Sequence, residues 1–125
     1  MRLGFVLYPE TDLNSALQRW CRCGLHVLWW PDDETVVLGD PEAPRAEVML
    51  EDHPAEHQLG PGPVFIVEAV EHFRAQHAGL DWVREPCEVP AGRYAAYAEP
   101  AGSVVRILDL TNDLGPRGAL FSSRR

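Results

Sequence analysis

The densest group of residues able to do chemistry in this 125-residue chain is "HPAEH", with His53, Glu56 and His57 in the order H-x-x-E-H. In that pattern two imidazoles and a carboxylate, one turn apart on a rigid helix, hold zinc and activate a water. Here Pro54 lies inside the pattern and "GPGP" follows it, so a helix of useful length is not expected and adventitious metal affinity is the most it suggests. Cys21 and Cys23, in "CRC", lack the spacing of a zinc knuckle, and with Cys87 they read as packing residues. His72 and His77 stand five apart, a poor ligand geometry on a helix. The sequence contains no Gly-rich phosphate loop, Ser-His-Asp order or nucleophile elbow.

Arg106 raises a different chemistry. In "SVVRILDL" period-two alternation puts Val104, Arg106 and Leu108 on one face and Val105, Ile107 and Asp109 on the other. A buried, unpaired guanidinium costs several kcal/mol, so Arg106 needs a partner. A ligand carboxylate or phosphate would fit its bidentate fork. An internal carboxylate such as Glu47 or Glu99 would serve equally, as would the water of an open cleft. Trp29 and Trp30 are adjacent in a strand, so one faces inward and can stack on a flat ligand while the other faces outward. One core Trp and one at a dimer interface is the alternative. Tyr94 and Tyr97 likewise face opposite sides, as aromatic walls, hydroxyl donors or core residues.

The elements that must position these residues follow from period and punctuation. Residues 3–8 read as a strand stopped by Pro9, and 11–24 as a helix capped by Thr11 or Asp12 and ended by Gly24. "LHVLWW", "ETVVLG" and "AEVMLE" are three further strands. "DHPAEHQLGPGP" is too rich in Pro, Gly and His for a packed element and reads as a linker. The order then recurs: "VFIVEA" strand, "VEHFRAQHAG" helix, and strands in "DWVREP", "GRYAAYAEP" and "SVVRILDL". The halves are offset by roughly 57–60 residues, and neither buries its faces alone, so they must share one core.

Composition sets the outer limits. With 46% apolar residues and a formal charge of −8, the chain reads as one compact domain with no basic footprint for nucleic acid or an acidic membrane. Three cysteines do not suggest a secreted disulfide framework. The opening "MRLGFVLYPE" lacks the features of a signal peptide, and no segment approaches the ~18 apolar residues of a membrane span. A cytoplasmic location is expected.

The doubled β-α-β-β-β order, over residues 3–111, resembles the vicinal oxygen chelate superfamily of glyoxalase I, extradiol dioxygenases, fosfomycin-resistance enzymes and bleomycin-binding proteins. "AEPAGSVVRIL" is similar to that family's Asp-Pro-Asp-Gly-Asn turn and last strand, "VFIVEAVEHFRAQHAGLDW" to its second-module strand and helix, and "GRYAAYAEP" to the strand before the final turn. The resemblance implies an α+β fold in which two modules form one curved mixed-sheet cleft with helices outside. The expected boundaries are module one at about 1–53, linker 54–62, module two at about 63–113, and a frayed tail 114–125 with Leu120 and Phe121 as a late contact. Metal-dependent members carry a His on the first strand, a His early in the fifth and a Glu on the last. The resemblance puts Phe5, Gly62 (give or take one residue) and Arg106 there; a fourth-strand carboxylate could still be Glu47 or Glu51, but one carboxylate is not a site, so the inherited metal centre is expected to be absent, with no cofactor and no catalytic residue assigned. It implies a metal-independent protein that sequesters a small aromatic or anionic ligand through Arg106, Phe5, Trp29, Trp30 and Tyr94, as a homodimer. Two alternatives stand: a lyase, transferase or dioxygenase-like enzyme with unrecognised metal ligands, and a non-binding structural or regulatory homodimer.

Overall fold

The computed structural model describes residues 1–112 and 114–121. Eight strands form one mixed sheet: β1 (Arg2–Pro9), β2 (His26–Asp32), β3 (Thr35–Gly39), β4 (Val48–Glu51), β5 (Gly62–Ile66), β6 (Asp81–Val89), β7 (Gly92–Ala98) and β8 (Val104–Leu108). Their order across the sheet is β2-β3-β4-β1-β5-β8-β7-β6. Each half therefore returns its fourth strand beside its first, in parallel, and β1 and β5 join the halves antiparallel at the centre. This is the doubled arrangement that the sequence order implies.

The strands bury both faces, and their alternation sorts the core into three clusters. On one side of the first half, Val36, Leu38, Val48 and Leu50 pack with Ala16 of helix α1 (Leu13–Arg22). On the matching side of the second half, Ala95, Tyr97 and Ile107 pack with Val70 of helix α3 (Val70–Gln76). The opposite face carries Phe5, Leu7, Val37, Val64, Ile66, Tyr94 and Leu108 in one cluster that spans both halves. This opposite face forms the cleft, and among the described residues it has no long helix over it.

Local chemistry fixes the helix starts. Asp12 sits in an extended conformation before α1, and its side chain accepts from the Ser15 amide at 3.1 Å. At α3 no residue of the helix's own N-terminus supplies such a cap. Asp109, 39 residues away, does so instead: one carboxylate oxygen accepts from the Val70 amide at 2.9 Å, the other from the Arg93 amide at 2.8 Å.

Residues 54–62, read from sequence as a linker, contain a short helix, α2 (Pro54–Leu59). The residues that look like breakers are its ends. Pro54 occupies the first turn, where a missing N–H costs nothing, and His53 Nδ1 accepts from the Ala55 amide at 3.2 Å. Gly60, at φ 80°, stops it in a conformation that favours glycine. Within the tail, Gly115–Phe121 forms a 3-10 helix, and Phe121 is buried against the cleft cluster. The expectation of a frayed end also covered residues 122–125, which lie outside the described residues.

Candidate functional site: a cavity floored by a buried ion pair

The concave face holds a cavity of about 440 Å³. Phe5, Leu7, Val64, Tyr94 and Leu108 form its floor; Trp29 and Met49 come from the first half, Cys87 and Val89 from β6, and Leu114 and Phe121 from the tail. Polar groups come from both halves: Asp32, Thr35, Glu51, His53 and Glu56 from the first, and across from them Arg84 and Glu88 of β6.

Arg106 lies beside this floor, behind Glu56 and Tyr94. Its position opposite Val64 in β5 and Ala96 in β7 puts it on the concave side, yet its side chain is 0% exposed and does not reach the cavity. Its partner is neither Glu47 nor Glu99 but Glu56, on α2. Arg106 Nε donates to Glu56 Oε1 at 2.8 Å and to the Tyr94 hydroxyl at 3.0 Å, while Nη2 donates to the Gly60 carbonyl at 2.7 Å. The Tyr94 hydroxyl in turn lies 3.0 and 2.9 Å from the two Glu56 oxygens and donates to that carboxylate. Burial pushes the Tyr94 hydroxyl well above the usual phenol range, and the negative charge of Glu56 pushes it further, so it keeps its proton. The cavity thus receives the outer sides of Glu56 and Tyr94, held rigidly from behind by a guanidinium.

Glu51 is the second polar anchor. Its Oε2 accepts from Thr35 Oγ1 at 3.0 Å. Burial raises its pKa above the ordinary glutamate value despite the Thr35 hydrogen bond, and the neighbouring carboxylates Glu56 and Asp32 add to the rise. A half-buried carboxyl facing an apolar cavity can receive a hydrogen-bond donor from a ligand.

The residues singled out from sequence divide as follows. Phe5, Trp29 and Tyr94 line the cavity, whereas Trp30 is 41% exposed and lies outside it. The outward-facing partner of each adjacent or alternating pair behaves as period two requires: Tyr97 packs under α3. Of the H-x-x-E-H residues, Glu56 pairs with Arg106, His53 caps α2, and His57 Nε2 lies 2.9 Å from Asp52 Oδ1. Cys21 and Cys23 are exposed, and Cys87 is partly buried at the cavity. Sequence reasoning missed Thr35; it weighed Glu51 only as a lone fourth-strand carboxylate and Phe121 only as a late contact of the tail, and assigned neither to the cavity.

The three positions that the sequence resemblance aligns with metal ligands do not fit a metal. Phe5 has no donor atom. A Cβ at Gly62 would run into the Val104 carbonyl and come 3.2 Å from Arg106 Nη1. The guanidinium fills the space that a ligand side chain from position 62 would need, and it adds a fixed positive charge that would repel a divalent ion. Glu56, the nearest carboxylate, is already committed to that charge.

No protein-family model matches the sequence, and no curated protein matches it. Solved structures do resemble it. A structure described as an NAD-dependent benzaldehyde dehydrogenase from Legionella pneumophila superposes with a TM-score of 0.67 at 14% identity, over 86% of this chain and 98% of that one. The Mn(II)-bound glyoxalase from Novosphingobium aromaticivorans gives 0.60 at 16% identity over 92% of this chain. Homoprotocatechuate 2,3-dioxygenase from Brevibacterium fuscum, in complex with 3,4-dihydroxyphenylacetate, gives 0.62 at 20% identity over 98%. This chain covers only 42% and 41% of those two enzymes. At such identities the likeness concerns the fold. Two β-α-β-β-β modules, joined through antiparallel first strands around one cleft and matched by these structures, make this chain a domain of the vicinal oxygen chelate fold.

Proposed function

We propose that the protein binds a small, flat, largely apolar molecule in this cleft without a metal ion. The observation that carries the reading is the cavity itself: about 440 Å³, walled by the rings of Phe5, Trp29, Tyr94 and Phe121, with a mainly apolar lining around a few polar groups. Ligand pockets have this size and this division of labour. The aromatic half of the sequence expectation is retained. The anionic half is not favoured, because Arg106 is engaged by Glu56 and the polar groups of the lining include Asp32, Glu51, Glu56 and Glu88 against Arg84. A neutral ring system with a hydrogen-bond donor suits it better. We also propose that the protein is a cytoplasmic homodimer, consistent with its unpaired cysteines and the exposed Val27 and Trp30 on edge strand β2.

The test is a fluorescence titration with the neutral dye N-phenyl-1-naphthylamine. Saturable binding is expected, weakened about tenfold by Trp29→Ala, the loss of an aromatic wall and its buried area. No binding, or equal binding by the variant, would remove the cavity from consideration.

One observation favours a second reading. The raised pKa of Glu51 inside an apolar cavity is the condition a proton-transfer catalyst needs. On that reading Glu51→Gln abolishes turnover of a bound compound while leaving its affinity nearly unchanged; on the binding reading there is no turnover to lose.

A further inference from the structure

The segment that follows β8 supplies one wall of the cavity through Leu114 and Phe121. After β8 the backbone returns across the concave face to the first module. The Leu120 carbonyl accepts from the Ala46 amide at 2.6 Å, and the Phe121 carbonyl accepts from Arg2 Nη2 at 3.2 Å. Arg117 Nη1 adds a long bond to the Leu28 carbonyl at 3.4 Å. Between these anchors Phe121 turns inward. It is 4% exposed, its ring centre is 5.5 Å from that of Phe5, and it meets Trp29 edge-on at 6.2 Å.

Two properties set this wall apart from the others. First, it is not woven into the sheet. Seven residues of 3-10 helix have weak internal hydrogen bonding and do not persist alone, so the segment is held by the packing of Phe121, Leu114 and Leu120 on the cleft cluster and by bonds to other elements. Local openings are drawn from such elements, which lack a sheet ladder. Second, the cavity exists with the segment docked, and Phe121 lines it. The ring is therefore a wall and not a plug: it limits the space without filling it.

We propose that Gly115–Phe121 is a displaceable wall of the ligand cavity and that Phe121 is the residue that sets the size of ligand admitted. The inference rests on the ligand cavity proposed above. Opening of the segment gives access, and redocking of Phe121 against Phe5 and Trp29 closes on ligands small enough to leave room for its ring.

The experiment compares two neutral dyes, N-phenyl-1-naphthylamine and the larger Nile red, on the full chain and on Phe121→Ala and Phe121→Leu. Hydrogen exchange at the Ala46 amide is followed in parallel as the report of docking. The parent should prefer the smaller dye. Phe121→Ala should shift the ratio of the two dissociation constants at least fivefold toward Nile red and speed exchange at Ala46. Phe121→Leu, which keeps an apolar side chain and folds even if the alanine variant does not, should shift the ratio the same way by less. An unchanged ratio in a folded variant, or equal weakening of both dyes, would overturn the role of Phe121 while leaving the cavity intact. A parent that binds neither dye would overturn the cavity reading, and this inference with it.

Discussion

Arg106 and Glu56 are each costly alone and tolerable together. The guanidinium is fully buried, and its Nη1 has no hydrogen-bond partner among the described residues, so the pair is not an optimised one. Removing one member leaves the other charge stranded, which costs about 3–5 kcal/mol, whereas an apolar replacement of both is often neutral. Arg106→Leu should therefore destabilise by about that amount in urea unfolding, and Arg106→Leu with Glu56→Leu should recover most of it. Additive losses would show that the pair does not act as a unit. Glu51 makes the opposite kind of contribution. Its folded pKa lies above the ordinary 4.5, so below that value both states are protonated and it costs nothing. As pH rises past 4.5 the unfolded chain ionises first, and stability falls until the folded carboxyl ionises too. Glu51→Gln should therefore leave stability at pH 4 almost unchanged and raise it at pH 7. A gain that is equal at both values would assign the effect to packing instead.

At the scale of elements, α3 depends on a residue from a distant part of the chain. Asp109 caps it at Val70, ties β7 through Arg93 and accepts from Thr111 Oγ1 at 2.7 Å. Burial works against its charge, but these hydrogen bonds together outweigh burial and hold the carboxyl below the usual 3.8. Asp109→Ala should cost about 2–4 kcal/mol at neutral pH, since hydrogen bonds to a charged group are the strong ones. The sign follows from the lowered pKa: the contribution is complete above 3.8 and fades as pH falls through the folded value, so the gap between variant and parent should narrow in acid. A gap that stays constant with pH would exclude the charge. The elements also show what a sequence can reveal. The doubled order was legible because apolar period switches between two and 3.6 residues, and Gly24 and Pro9 punctuate it. Helix α2 was not legible, because Pro54 and Gly60 are the same letters in a cap as in a linker. Glu56 was hidden twice over, inside that segment and inside a metal-like motif. The cap at Val70 was invisible because no local rule pairs residues 39 apart. Phe121 sat in a polar, Gly- and Arg-containing tail whose docking depends on a surface built elsewhere.

Across the whole molecule, among the described residues, the sheet ends in edge strands β2 and β6, each paired on one side only. Such edges are usually blunted or covered. The β2 edge is neither charged throughout nor short, and it presents Val27 and Trp30, each 41% exposed. If two copies cover one another there, light scattering should report twice the 14.0 kDa of one chain, and Trp30→Glu should shift the mass toward one chain. A mass of 14.0 kDa for the parent would refute the dimer.

The clasp between Glu56 and Arg106 also bears on how fast the chain folds and unfolds. Its partners are 50 residues apart, and Arg106 sits on β8 between β5 and β7. The attraction between two charges becomes strong only once water has left, so the clasp is expected to close after the rate-limiting step. Interactions absent from the transition state govern escape from the native basin and not arrival in it. Stopped-flow measurements on Arg106→Leu should then show unfolding accelerated while refolding keeps its rate. The clasp would act as a lock on residence time: it does not guide the chain home, but it sets how long the chain stays.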